Sequence, residues 1–241
     1  MKILSNKFNS VSSKKQLSFQ KIFELFFISP IHQGPKLTIM KKVITEFIGT
    51  FFLVMGAALG GGLGAALALM VMVYAGGHIS GAHYNPAVSF AVWIRGRSTL
   101  GDMLGYWMSQ LAGGILAALV VAKIFGVEGA ATCVIPDDET IRGIVAETAG
   151  TFALAYVVLN VATAKGTAGN SFYGIAIGGT VLAMATVIGK FSGGAYNPAV
   201  ATGLIIQKTF CLSQIWIYLV GAFAGAGLAA LVFKMNNPDD K

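Results

Sequence analysis

Six long apolar stretches stand out along the chain, at residues 43–60, 62–77, 103–125, 141–163, 171–189 and 209–233. Most approach the roughly 20 residues that an α-helix needs to cross a bilayer. Two shorter apolar pieces, 86–94 and 198–206, each open with a proline, and at about half the spanning length they cannot cross. The pattern predicts an all-α membrane protein. Six transmembrane helices are joined by two half-helices that enter the membrane and turn back within it.

The two short pieces follow near-identical segments, GHISGAHYNPAV at residues 77–88 and GKFSGGAYNPAV at 189–200, which agree at eight of twelve positions and lie 112 residues apart. The offset persists downstream, where ILAAL at 115–119 recurs as GLAAL at 227–231. A looser match precedes it, EFIGTF from Glu46 against ETAGTF from Glu147. The chain is thus a duplicated module. A first half over 40–126 and a second over 141–234 together make one membrane domain, with a short tail at 235–241. The first box follows the second span and the second follows the fifth, so the half-helices enter from opposite sides and the halves are inverted.

Composition agrees with a chain dissolved mostly in lipid: 55% of residues are hydrophobic, 11% are charged, and the mean hydropathy is +0.72. A nucleophile paired with a base, a phosphate-cradling loop and a metal cluster are all missing from the sequence, so no enzyme, cofactor, metal or nucleic-acid reading arises. The net charge of +7 resides in the first 42 residues, which hold eight lysines and one glutamate. Positive charge marks the cytoplasmic side. With six spans, Arg95, Arg97 and Lys165 fall in inner loops, and Glu128, Asp137, Asp138 and Glu139 in an outer one. Both termini are expected to be cytoplasmic and the plasma membrane is the expected location. Cys133 and Cys211 form no metal or redox spacing. Residues 1–39 read as a basic, unstructured extension, because Met40-Lys41-Lys42 before an apolar helix resembles a natural start.

Each box carries a physical instruction. Proline suits the first position of a helix and asparagine its N-cap, where the side-chain oxygen accepts from the next turn. The amides of Asn85 and Asn197 then have N–H groups left for whatever lies at the helix tip. The glycine-rich loops at 77–81 and 189–193 are expected not to be helical throughout. Non-helical backbone at membrane depth survives only when buried in protein or lining a cavity. Two helix N-termini meeting near the midplane each bring roughly half a positive charge, which repels cations and protons and leaves neutral molecules unaffected.

With both boxes (Asn85-Pro86-Ala87 and Asn197-Pro198-Ala199), the Ser-Gly turns before them and the paired Glu-x-x-Gly-Thr-Phe openings in place, the chain resembles the aquaporin family, also called major intrinsic proteins, from Met40 to Phe233. The resemblance implies a six-helix bundle with two re-entrant half-helices, a homotetramer, and one pore per subunit. It implies that Glu46 and Glu147 hold the backbone of the re-entrant loops. It also places a second, outer constriction at Ala65, Ala185, Gly194 and Val200. Here the chain departs from the family, which usually has arginine where Val200 stands. Small apolar groups imply a wider, less polar opening. Ala201 replaces the aspartate usual in glycerol facilitators, and Tyr218 looks water-channel-like, whereas Leu219 points the other way.

The expected function is a passive channel for water and small neutral solutes. A glycerol, urea or ammonia facilitator with water secondary is the alternative, and a secondary transporter or a non-conducting scaffold are more distant ones. Lys190 is a candidate to replace part of the missing arginine charge. His78 and His83 are candidates for a pH-sensitive gate, against a packed or hydrogen-bonded role. Gly113, Gly114, Gly225 and Gly227 are expected to let helices cross closely, and Trp93, Trp107 and Trp216 to pack or anchor. Only 39 residues separate Glu46 from Asn85, against 50 from Glu147 to Asn197, so Gly60-Gly61-Gly62 must turn the chain between the first two spans. A chain begun at Met40 is expected to insert and conduct like the full chain; normal insertion with all transport lost would contradict that.

Overall fold

The computed structural model describes residues 35–130 and 133–240. Residues 1–34, most of the proposed extension, lie outside the described residues. The first helix, α1 (Pro35–Ser80), is broken at Gly61, whose φ of 55° and ψ of −145° suit a residue without Cβ. Its two limbs fold back on each other. A Cβ on Gly64 would run into the carbonyl of Gly56, and one on Gly76 would come within 2.6 Å of Thr45 Cγ2. The short first half thus turns within its three glycines, as its spacing requires.

Six further helices follow: α2 (Pro86–Arg95), α3 (Leu100–Lys123), α4 (Thr140–Val158, prolonged by a wider turn over Leu159–Thr163), α5 (Tyr173–Val187), α6 (Pro198–Ile206) and α7 (Ile215–Asn236). The two limbs of α1 with α3, α4, α5 and α7 are the six crossings, and α2 and α6 are the half-helices. The last apolar stretch starts as a helix later than its hydrophobicity suggests. Lys208 turns the chain at φ 64°, and Cys211 is bonded to Cys133, so residues 209–214 are spent on a tether instead of a span. Sequence spacing gave no sign of that disulfide.

Packing follows the inversion. Half-helix α6 of the second half lies against α3 of the first, and half-helix α2 of the first lies against α7 of the second. The close crossings rest on missing side chains. A Cβ on Gly113 would strike the carbonyl of Phe47, and one on Gly225, at the same offset of 112, would strike that of Thr148. A Cβ on Gly114 would lie 3.0 Å from Ala199 O. Gly227 is different: its nearest neighbour would be Phe90 Cε1 at 3.8 Å, ordinary contact, so it does not set a helix crossing.

Apart from the buried Glu46 and Glu147, the charged groups that pair lie at the two ends. Lys42, Arg95, Arg97, Asp102 and Asp240 pair among themselves at one end, the terminal face, where Asp240 also accepts from the Lys165 backbone N–H. Glu128, Lys123, Lys208 and the disulfide occupy the other. The glycine pair on α7 gives a direct check of the packing. Gly225→Ala should destabilise by about 1–3 kcal/mol through overpacking, whereas Gly227→Ala should be neutral; thermal unfolding of the two variants in detergent measures the difference.

Candidate functional site

Between the second limb of α1 and α2, and again between α5 and α6, the chain makes a turn that ordinary residues resist. Gly81, Ala82 and Tyr84 have positive φ, and so do Gly193, Gly194 and Tyr196 at the same offset of 112. For alanine or tyrosine this conformation costs about 1–2 kcal/mol each. What holds it is a buried carboxylate in each half. Glu46 Oε1 accepts from Ser80 Oγ at 2.6 Å and His83 N at 2.9 Å, and its Oε2 from Tyr84 N at 2.7 Å and Gln110 Nε2 at 2.8 Å. Glu147 Oε1 accepts from Ser192 Oγ at 2.6 Å and Ala195 N at 3.0 Å, and its Oε2 from Tyr196 N at 2.7 Å. Hydrogen bonds to an ionised group contribute about 1.5–3 kcal/mol each, so two of them offset the strain of one loop.

Tyrosines complete the brace by the same repeat. Tyr84 Oη donates to Met72 O at 2.9 Å and Tyr196 Oη to Met184 O at 3.0 Å. From outside the loop, Tyr106 Oη donates to Ser80 O at 2.6 Å and Tyr218 Oη to Ser192 O at 2.7 Å. Tyr218, read from the sequence as a mark of solute preference, is therefore part of the loop's support. The first loop is also more helical than its glycines suggest, since α1 runs through Gly77 to Ser80 before turning.

Both asparagines cap their half-helices. Asn85 Oδ1 accepts from Ala87 N at 2.9 Å and Val88 N at 3.4 Å, and Asn197 Oδ1 from Ala199 N at 2.9 Å. Their amides then cross over. Asn85 Nδ2 donates to Tyr196 O, and Asn197 Nδ2 to Tyr84 O, both at 2.9 Å. The tips of α2 and α6 are thus locked to each other. One N–H of each amide is used in the lock, and the second is left for the space both side chains border.

That space is a cavity of about 360 Å³, bordered by Asn85 and Asn197. Ala65, Ala185, Gly194 and Val200, assigned from four separate parts of the chain, all line it. No Asp, Glu, Lys or Arg does so among the described residues. A second cavity of about 770 Å³ opens on the terminal face past His78, Arg97 and Lys165. The two share His83, Val158 and Ile177 as walls.

Other candidates fall into place or out of it. His83 is buried, with Nδ1 3.0 Å from Ser89 Oγ and its ring edge-on to Tyr106, so it is packed and hydrogen-bonded. His78 borders the second cavity. Lys190 lies exposed over the Phe191 ring, 5.0 Å from its centre, and is not among the residues lining either cavity; it does not stand in for an arginine. Trp107 Nε1 donates to Pro86 O at 2.8 Å, while Trp93 and Trp216 face outward. Gln110 was not legible beforehand, because its counterpart at the 112-residue offset is Ala222. Tyr106 and the role of Tyr218 were also missed from the sequence; the repeat, which pairs them at the offset of 112, is the signal that could have found both.

Residues 33–233 match the protein family described as "Major intrinsic protein". The chain is 33% identical over 217 residues to a "Glycerol uptake facilitator protein-like 6" of Lactiplantibacillus plantarum, covering 83% of this chain and all of that one. It is 32% identical over 240 residues to "Aquaporin AqpM" of Methanothermobacter thermautotrophicus, covering 82% and 97%. Against "Aquaporin NIP1-2" of Arabidopsis thaliana it is 31% identical over 225 residues, covering 84% and 76%. The fold matches the structure of the aquaglyceroporin from Plasmodium falciparum with a TM-score of 0.64 at 17% identity, over 83% of this chain and 98% of that one.

The unequal bonding of the two carboxylates has a measurable outcome. Glu147 has three donors where Glu46 has four, so Ser192→Ala, costing about 1.5–3 kcal/mol, should lower the detergent unfolding midpoint more than Ser80→Ala does.

Proposed function

The chain belongs to the major intrinsic protein family, and on that footing we propose that it works as a passive channel for water and small neutral solutes. The observation that carries this reading is the reciprocal lock of Asn85 and Asn197 at the heads of two half-helices, beside a cavity that no Asp, Glu, Lys or Arg lines among the described residues. Two positive helix ends meet there. A cation would exchange its hydration shell for that field, whereas a neutral molecule exchanges water contacts for the free N–H groups of the asparagines. In this reading the two cavities form one path, narrowed at the asparagine tips and again among Ala65, Ala185, Gly194 and Val200.

Water is the first solute and glycerol, urea and ammonia are the alternatives. Names given to relatives support both sides, since one is called a glycerol uptake facilitator and others aquaporins. The apolar second constriction favours breadth. We further read the chain as a homotetramer in the plasma membrane, without enzymatic activity and with both termini cytoplasmic. The clustering of Lys42, Arg95, Arg97 and Lys165 on the terminal face supports that orientation. So does the disulfide on the opposite face, since such bonds persist in oxidising compartments.

Stopped-flow light scattering on proteoliposomes under sucrose, glycerol and urea gradients tests the reading. Flux should rise linearly with gradient and depend weakly on temperature; saturation would point to a carrier, and flux at lipid background to a closed scaffold. Val200→Arg should reduce glycerol passage more than water passage, and equal losses would remove Val200 from the second constriction.

A further inference from the structure

Each half-helix has a far end as well as a tip, and the far ends are held by one device used twice. Half-helix α6 ends at Gln207, which is buried; its Nε2 donates to Val127 O at 3.1 Å, and its own carbonyl accepts from Gly129 N at 2.9 Å. Between those two residues stands Glu128, paired with Lys208 at 2.8 Å and Lys123 at 2.6 Å. Half-helix α2 ends at Arg95, which occupies the position of Gln207 less 112. Its guanidinium is buried over Phe233, 4.7 Å from the ring centre, and donates to Thr163 through Nε at 3.1 Å and Nη2 at 3.3 Å. Arg95 Nη2 also meets Asp240 Oδ1 at 2.6 Å, and Nη1 meets Asp240 O at 2.8 Å. Asp240 is Glu128 plus 112.

We propose that Asp240 and Glu128 stand at equivalent positions, each on the chain that leaves the last span of one half and meets the far end of the other half's half-helix, and that Asp240, acting through Arg95, is the positioning residue that sets where Asn85 stands along the pore. The proposal rests on the pore reading above. The order of chain segments supports it: α3 lies on α6 and runs on to Glu128, while α7 lies on α2 and runs on to Asp240. A ten-residue helix is rigid on this scale. Fixing Arg95 therefore fixes Asn85 at its other end, and with it the bond to Tyr196 O.

The two clamps are unequal. Arg95 has a side-chain exposure of 1% and Asp240 of 10%, against 54% for Lys208 and 30% for Glu128. An exposed pair contributes little, whereas removing one partner of a buried pair leaves a charge uncompensated. Asp240 also binds a third segment, because its Oδ2 accepts from Lys165 N at 2.7 Å and its Oδ1 from Arg97 Nη2 at 3.3 Å. The Lys165 amide first, and then Arg95 and Arg97, hold its carboxyl below the usual carboxylate range. Mild acid therefore leaves this clamp closed, which makes it a constitutive strap and not a pH switch. At the opposite face, hydrogen bonds from Lys123 and Lys208 hold Glu128 down to about 2.

The test is water permeability per folded protein in proteoliposomes of the full chain. Asp240→Asn should lower it by about threefold or more, because the Arg95 charge is left buried and unpaired. Asp240→Glu should restore it, and Glu128→Gln, which removes a more exposed pair, should lower it by less than Asp240→Asn does. Adding Arg95→Gln to Asp240→Asn should recover part of the loss, since coupled partners are not additive; recovery of folding by the double variant, where the single does not fold, supports the proposal equally. Unchanged permeability in Asp240→Asn, or additive losses in the double variant, would overturn it. A wild-type protein that conducts nothing above lipid background fails the pore reading itself, and the strap as a pore-positioning device falls with it.

Discussion

A backbone that leaves the helix inside a bilayer must find every hydrogen-bond partner within the protein, and this molecule meets that demand with one buried carboxylate per half. Glu46 and Glu147 accept from the amides and serines of the two turning loops. The rest depends on those bonds. Without them the left-handed backbone at Tyr84 and Tyr196 has no reason to persist, and the tyrosine carbonyls would not be placed to receive the asparagines of the opposite half. An acid in the middle of a span is costly in isolation; here it replaces the water that the loop backbone cannot reach.

The duplication is closer in bonding than in sequence. Tyr84 and Tyr196, Tyr106 and Tyr218, Ser80 and Ser192 play matched parts, and Gly113 and Gly225 admit matched carbonyls. Where the halves diverge, the difference is one of degree. Gln110 gives Glu46 a donor that Ala222 cannot give Glu147, and Arg95 takes an ionic partner where Gln207 settles for backbone. The far end of α2 is thus held by a buried ion pair, and that of α6 by neutral hydrogen bonds beside more exposed ion pairs.

Most of the architecture could be read from residue order alone, for physical reasons. Apolar length decides what can cross, Asn-Pro marks where a helix begins, and a repeated segment says that both marks are used twice; the half-helices over Pro86–Arg95 and Pro198–Ile206 lie where that logic put them. Ala65, Ala185, Gly194 and Val200, which the family resemblance assigns to a second constriction, all line one cavity. What escaped was long-range and irregular. The Cys133–Cys211 bond, the Asp240 contact with Arg95 and the Gln110 contact with Glu46 join positions whose nearness depends on completed packing. Lys190 misled because sequence distance to a mouth says nothing about which way a side chain leaves the backbone.

The hairpin at Gly61 makes one part of the chain intolerant in an unusual sense. Helix runs without slack from Glu46 to the break and from the break to Ser80, and Ala65 faces the cavity because it lies four positions past Gly61. A single residue inserted between Gly61 and Ala65 would rotate everything beyond it by about 100°, swinging the methyl group of Ala65 off the wall and the serine away from its acid. Length, more than residue identity, is the quantity this stretch cannot vary.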